Sequence, residues 1–291
     1  MRSRIKTIVL SGLLLCSTLK AQDDLLSLVE DGKTETVYTT ATFKGTRLIN
    51  FHTIEGPGKN SLEYRISHHF GDFNSGGYNF WGLDGGATIR MGFEYSPDGR
   101  FVAGFGRSSL DKLFDGFLKY KLLRQSNKMP VTVTVFSGLY YTTLKDAQGS
   151  TRYAYSSSRF SYCHQIMIAR KFNSKFSMQL TPAVVHFNLV DLKSQANDVF
   201  VMGGLFRYKL TKRQAITLEY AYRINDRNSG YHDAVGLGYE LETGGHVFSM
   251  FITNAAGMAE PQFFARTSEK WQDWGVKLGF NISRSFWIQT K

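Results

Sequence analysis

Cysteine, long apolar runs and clustered charge are all scarce in this chain, and each scarcity removes a class of protein. Cys16 and Cys163 are the two cysteines in 291 residues. Cys16 falls in an apolar leader, so the remaining chain holds one thiol, which excludes an internal disulfide and a multi-thiolate metal site. The longest apolar run, Ile8–Cys16, is too short for a spanning helix, and no later stretch approaches the roughly 18 apolar residues that such a helix requires. The basic residues are interleaved with acids, so the clustered patch that marks nucleic-acid binding is missing. No histidine is followed two residues later by serine: His68 meets Phe70, His164 meets Ile166 and His246 meets Phe248. That removes the base-and-nucleophile pair that ester hydrolysis on a strand would need, and the chain is expected not to be an enzyme and to need no cofactor.

The start of the chain carries an export signal. Arg2, Arg4 and Lys6 precede the apolar run, and Leu19-Lys20-Ala21 precedes Gln22, so residues 1–21 read as a signal peptide cut after Ala21. Its four bases, Lys20 included, lower the formal charge of +11 by four on removal. A small positive excess inside a barrel would favour anionic solutes, or would simply be the imbalance of a charge-laced lumen.

What the chain has in abundance is alternation. In Ala87-Thr88-Ile89-Arg90-Met91-Gly92-Phe93-Glu94-Tyr95 every odd position is apolar and the even ones are polar or glycine. A period of two is a strand with one apolar and one polar face. Twelve such stretches are expected, near 62–70, 86–95, 100–107, 113–123, 131–142, 159–170, 175–189, 199–209, 213–224, 233–241, 246–253 and 273–283. Their links alternate between tight turns, such as Ser96-Pro97-Asp98-Gly99 and Glu242-Thr243-Gly244-Gly245, and longer polar loops. Only the link from Arg107 to Lys112 breaks that rule. A soluble barrel or sandwich also alternates, but its turns would not sort by side. The pattern predicts an all-β fold, an antiparallel transmembrane β-barrel of about twelve strands in an outer membrane, with the short turns and both chain ends periplasmic.

The inward phase carries the candidate functional residues. Glu63, Arg65, His69, Arg90, Glu94, Lys119, Lys121, Glu219, Arg223 and Lys277 share the face opposite the apolar one. Opposed rows of charge either select solutes in a pore or pair to hold a narrow barrel shut, and a barrel of this size can be filled. On a strand His68 and His69 point to opposite faces and cannot chelate one ion, so no metal site is expected. His52, His186 and His232 are placed at rims or in loops. Tyr95, Tyr140, Tyr141 and Trp274 suit interfacial girdles beside the lipid.

Outside the barrel domain, 61–291, the segment 22–60 is expected to be periplasmic or to lie in the lumen, with a short amphipathic helix or a disordered lead at 23–30. Thr34–Phe51 follows as a first strand or as an extended segment in the lumen. The apolar loop 254–272 is expected to pack over its own rim, with folding into the mouth or binding a partner as alternatives. Near the end, Asp273, Gly275, Leu278 and Phe280 match the order of a final-strand signal by which barrels are handed to their assembly machinery; Ser285–Ile288 would then only prolong the strand. The expected partners are outer-membrane lipid, that machinery, and either a small solute or a periplasmic or surface protein. The barrel is expected to be a monomer.

Three segments, Thr42–Asn50, Leu62–Gly71 and Gly116–Ser126, resemble a family of Gram-negative outer-membrane β-barrel proteins known as a domain of unknown function. The resemblance spans nearly all of the chain after the signal. It implies the barrel, the export signal and the outer membrane, and brings no activity, substrate or catalytic residues with it. Two functions stay open: a passive pore or transporter for small solutes, and a non-conducting structural or binding barrel.

Overall fold

The computed structural model describes residues 35–147, 150–227 and 230–288. The signal peptide and the stretch 23–30 lie outside them. Two compact units divide the chain at Thr36 and Val37, and the second, Val37–Lys291, is the barrel with the segment inside it.

Twelve antiparallel strands close on themselves. They are β1 (Ser61–Asp72), β2 (Thr88–Ser96), β3 (Phe101–Ser108), β4 (Leu113–Leu123), β5 (Thr132–Thr142) and β6 (Phe160–Lys171), then β7 (Phe176–Phe187), β8 (Asp198–Lys209), β9 (Gln214–Arg223), β10 (Ala234–Thr243), β11 (His246–Thr253) and β12 (Lys277–Trp287). Each strand pairs with its sequence neighbours, and β1 pairs with β12 through Ile66 opposite Ile282 and Ser67 opposite Asn281. Closure satisfies every strand edge, the condition for a β structure to stand in lipid.

Alternation builds the two faces. On β2, Ile89, Met91 and Phe93 are exposed on the outside while Arg90 and Glu94 are buried within. Around the wall Leu118, Ile166, Leu180, Phe200, Leu218, Leu237 and Met250 continue the outer apolar band. The links sort by end: 97–100, 172–175, 210–213 and 244–245 are tight, and 143–159, 188–197 and 254–276 are long. The exception at 109–112 is a 3-10 turn, Leu110–Lys112, in which Asp111 and Lys112 take φ of 56° and 47°.

The last strand starts four residues later than its pattern implies. Trp271–Asp273 forms a 3-10 turn and Trp274 takes a left-handed φ of 54°, so the alternation of 273–276 is not extended backbone. Strand β12 instead runs through Ser285 and Phe286 to Trp287. Of the four residues expected to form an assembly signal, Asp273 and Gly275 therefore lie in the preceding turn, and Leu278 and Phe280 lie on the outward phase of β12.

Candidate functional site: a filled lumen

The lumen is occupied from both ends by the chain itself. From the short-turn end, residues 37–60 thread inward as irregular extended chain rather than as a strand. Tyr38 bridges Ser126 in the turn after β4, and Lys44 pairs with Glu242 at 2.6 Å. The segment then doubles back in a hairpin, with Arg47 bridged to His52, Leu48 N–H bonded to Phe51 O at 2.9 Å and Thr53 N–H to Thr46 O at 2.9 Å. Phe43, Leu48, Ile49, Phe51 and Ile54 are fully buried. Each such side chain contributes about 1.5–3 kcal/mol relative to exposure. Two inward glycines make the room: a Cβ at Gly203 would stand 2.4 Å from the Phe51 ring, and one at Gly236 2.9 Å from Ile49.

From the long-loop end, 254–265 folds into the lumen rather than over the rim, and 268–272 stays at the surface. Ala255, Met258, Glu260, Phe263 and Phe264 are buried, and a π-helical turn, Pro261–Ala265, presents both phenylalanines to the hairpin. Phe51 meets Phe263 at 5.1 Å and Phe264 edge-on at 4.9 Å between ring centres. The apolar content of this loop is explained by that contact: it is core, not surface.

The wall grips the hairpin through polar groups. Glu219 on β9 accepts from the backbone N–H groups of Ile49 at 3.2 Å, Asn50 at 3.0 Å and Phe51 at 3.2 Å, and from Asn50 Nδ2 at 3.0 Å. Gln179 on β7 accepts from Ile54 N–H and donates to His52 O, both at 2.9 Å. Lys119 donates to Glu55 O and, at 3.3 Å, to Thr53 O, while Lys121 pairs with the Glu55 carboxylate at 3.3 Å. Thr46 Oγ1 donates to Glu63 at 2.9 Å, Arg65 Nη2 reaches Arg47 O at 3.4 Å, and Asn281 donates to Ile49 O at 2.9 Å.

Most of the remaining inward polar groups pair with the wall, the rim or the inward loop. Arg90 holds Asp115 with two bonds, of 2.9 and 2.5 Å, and Arg207 holds Glu240 at 2.6 Å. His69 donates from Nδ1 to Ala255 O at 3.0 Å. Arg223 pairs with Asp226 at 3.0 Å, and Lys277 pairs with Asp72, both at the long-loop end. Glu94 is buried on the same face.

Plug and inward loop meet at a buried charged cluster. Arg47 Nη1 lies 3.2 Å from Glu260 Oε1, and Tyr140 donates its hydroxyl to Glu260 Oε2 at 2.6 Å. Arg47 also donates to Asn50 O at 2.8 Å and Met258 O at 3.1 Å. Tyr140 thus faces the lumen at 1% exposure and is not a girdle residue, and His52, at 0%, stands at the centre rather than a rim. The phase of β5 carries the signal for Tyr140: it shares the parity of Thr132 and Thr134, opposite Val133 and Val135. Trp274, at 67% exposure, stays on the surface.

His52 is held neutral. Its Nε2 accepts a hydrogen bond from Arg47 Nη2 at 2.7 Å, so the nitrogen facing Glu260 at 3.5 Å is an acceptor. Burial, and then the charges of Arg47, Lys119, Arg90 and Arg65, push its pKa well below the usual histidine value. Below about pH 6.5 the unfolded chain takes up a proton that the folded chain refuses, so the barrel loses up to about 1.4 kcal/mol for each pH unit of acidification. Urea midpoints measured from neutral pH downward should fall more steeply for the wild type than for His52→Gln, and parallel curves would remove His52 from the acid response.

Residues 43–286 match a family described as "Membrane bound beta barrel domain (DUF5777)", a range that includes the hairpin as well as the strands. The chain belongs to this family. Among solved structures, this DUF5777 barrel is similar to the NanC porin, with a TM-score of 0.50 and 8% identity over 78% of this chain and 100% of that one. It is also similar to the KdgM porin, at 0.47 and 8% over 79% and 99%, and to outer membrane phospholipase A from Escherichia coli, at 0.42 and 11% over 81% and 94%. Comparison with curated protein sequences finds no match. At such identities the likeness shows the fold alone. What this DUF5777 member does has to be argued from its filled lumen.

Proposed function

We propose that this is an outer-membrane barrel without a standing pore, a structural or binding barrel whose lumen its own chain closes. The observation that carries the reading is the seat of Phe51 against Phe263 and Phe264, where hairpin and loop meet with no exposed surface between them. An outward apolar band, the sorted links and the export signal support the outer membrane, with short turns periplasmic. The reading assigns no catalytic step to the chain.

A second reading, a gated passage for small solutes, is supported by the character of the grip. Glu219, Gln179, Lys119, Glu63 and Asn281 hold the hairpin through hydrogen bonds, and the hairpin enters and leaves by one end. Such a segment can withdraw without crossing the barrel.

Planar-bilayer recording separates the two. The wild type should show no steady conductance, whereas a chain lacking residues 37–58 and carrying Phe263→Ala and Phe264→Ala should conduct. Steady wild-type conductance that shifts on Lys119→Gln would overturn the closed reading, and wild-type openings in bursts would favour the gated one.

A further inference from the structure

Above the inward loop, at the long-loop end, lies a cavity of about 530 Å³. Gly257, Pro261 and Gln262 belong to its floor, and the links 143–159 and 188–197 supply much of its wall. The volume is that of a site for a small organic molecule.

Its chemistry is biased. Lys145, Arg152, Arg159 and Arg266 line it, against Asp111, Asp146 and Asp191. The carboxylates are largely committed. Asp111 accepts from Gln262 Nε2 at 2.9 Å, and Asp191 takes Arg152, the Tyr231 hydroxyl at 3.2 Å and Arg266 at 3.9 Å. Burial would raise the Asp191 carboxyl, but Arg266 and Arg152 hold it below the usual range, so it stays an anion that these arginines share. The guanidiniums are less committed. Among the described residues, the Arg266 side chain makes one hydrogen bond, of 3.4 Å to Leu189 O, beside its 3.9 Å approach to Asp191, and Arg159 donates through Nη1, to Leu144 O at 2.6 Å and Thr142 O at 3.3 Å, with Asp146 at 4.0 Å. An arginine offers five N–H donors, so both keep donors for a further acceptor.

Apolar faces stand beside those donors. Arg266 lies 4.2 Å over the Phe187 ring and Arg159 4.3 Å over Tyr153, which holds each guanidinium against an aromatic surface. Fixed arginine forks next to rings fit an acidic group on a compact flat body.

We infer that this cavity binds a small organic anion, its carboxylate or phosphate held by Arg159 and Arg266 and its body laid against Tyr153 and Phe187. The inference concerns the mouth and is independent of whether the lumen conducts.

Titration calorimetry on the full chain in detergent at low salt tests it with ring-bearing probes of different charge. Benzoate, phenyl phosphate or both should bind, and benzamide and benzylamine should bind at least tenfold more weakly. If one anion alone binds, the acidic group is narrowed to that one. Arg266→Gln and Arg159→Gln should each weaken the bound anion tenfold or more, while Lys212→Gln, on a turn at the other end, should leave it unchanged. Arg266 belongs to the inward loop, so Arg159→Gln on the facing wall keeps the test valid if the first variant misfolds, and the wild-type comparison needs no variant. Equal affinity for benzoate and benzamide, or no binding of either anion, would overturn the proposal.

Discussion

Glu219→Ala should unseat the plug. Its carboxylate accepts three consecutive backbone N–H groups, Ile49, Asn50 and Phe51, together with the Asn50 amide. These groups lie at the tip of the hairpin and are buried in the lumen. An orphaned buried donor costs about 1–3 kcal/mol, so three of them, partly relieved by a shift of the tip, give an expected loss of roughly 3–5 kcal/mol. Glu219→Gln keeps one acceptor oxygen and should fall between the wild type and the alanine variant. Two measurements check it. The urea midpoint of the barrel should drop in that order, and limited proteolysis should begin to cut between residues 42 and 58, which the wild type protects. A plug that stays protected in Glu219→Ala would mean that Phe51 and its aromatic neighbours seat it unaided.

The barrel was legible because its physics repeats. A strand with lipid on one face and polar packing on the other writes the same two-residue period twelve times, and the turns between carry their own chemistry. Strand β4 falls on residues 113–123 as its pattern implies, and β11 on 246–253. The failure at β12 has a local cause: Asp273-Trp274-Gly275-Val276 alternates, but Trp274 takes a left-handed φ, and periodicity cannot see a turn that preserves parity.

The lumen was less legible, since its contents do not repeat. Residues 42–55 form no strand or helix, and their partners stand far away in sequence, Glu219 about 170 residues from Asn50. Glu219, Glu63 and Lys119 could be assigned to the inward face by parity, but parity does not say whether a charge meets water, another wall residue or a backbone. His52 reads as a rim or loop residue because no strand pattern holds it, and it becomes central only once the hairpin turns at Leu48–Phe51. The loop 254–272 announced itself by its apolar content. The choice between rim and mouth depended on Phe51, a residue on the far side of the barrel sequence.

The join between plug and loop should behave as a single coupled pair. Glu260→Leu leaves the Arg47 guanidinium buried without its carboxylate and the Tyr140 hydroxyl without its acceptor. Breaking one side of a buried pair costs about 3–5 kcal/mol, most of it the penalty of the charge left behind. Arg47→Met should cost a similar amount by stranding Glu260. Removing both charges removes the penalty, so Arg47→Met with Glu260→Leu should be less destabilised than the sum of the single variants by about 1–3 kcal/mol. Full recovery is not expected, because Arg47 also donates to Asn50 O and Met258 O, which the double variant leaves without that donor. Urea midpoints for the four proteins give the coupling directly, and proteolysis of the single variants should release hairpin and loop at the same denaturant concentration. Additive losses would mean instead that Glu260 and Arg47 are held separately by the wall, and that only the aromatic contact ties the two closures together.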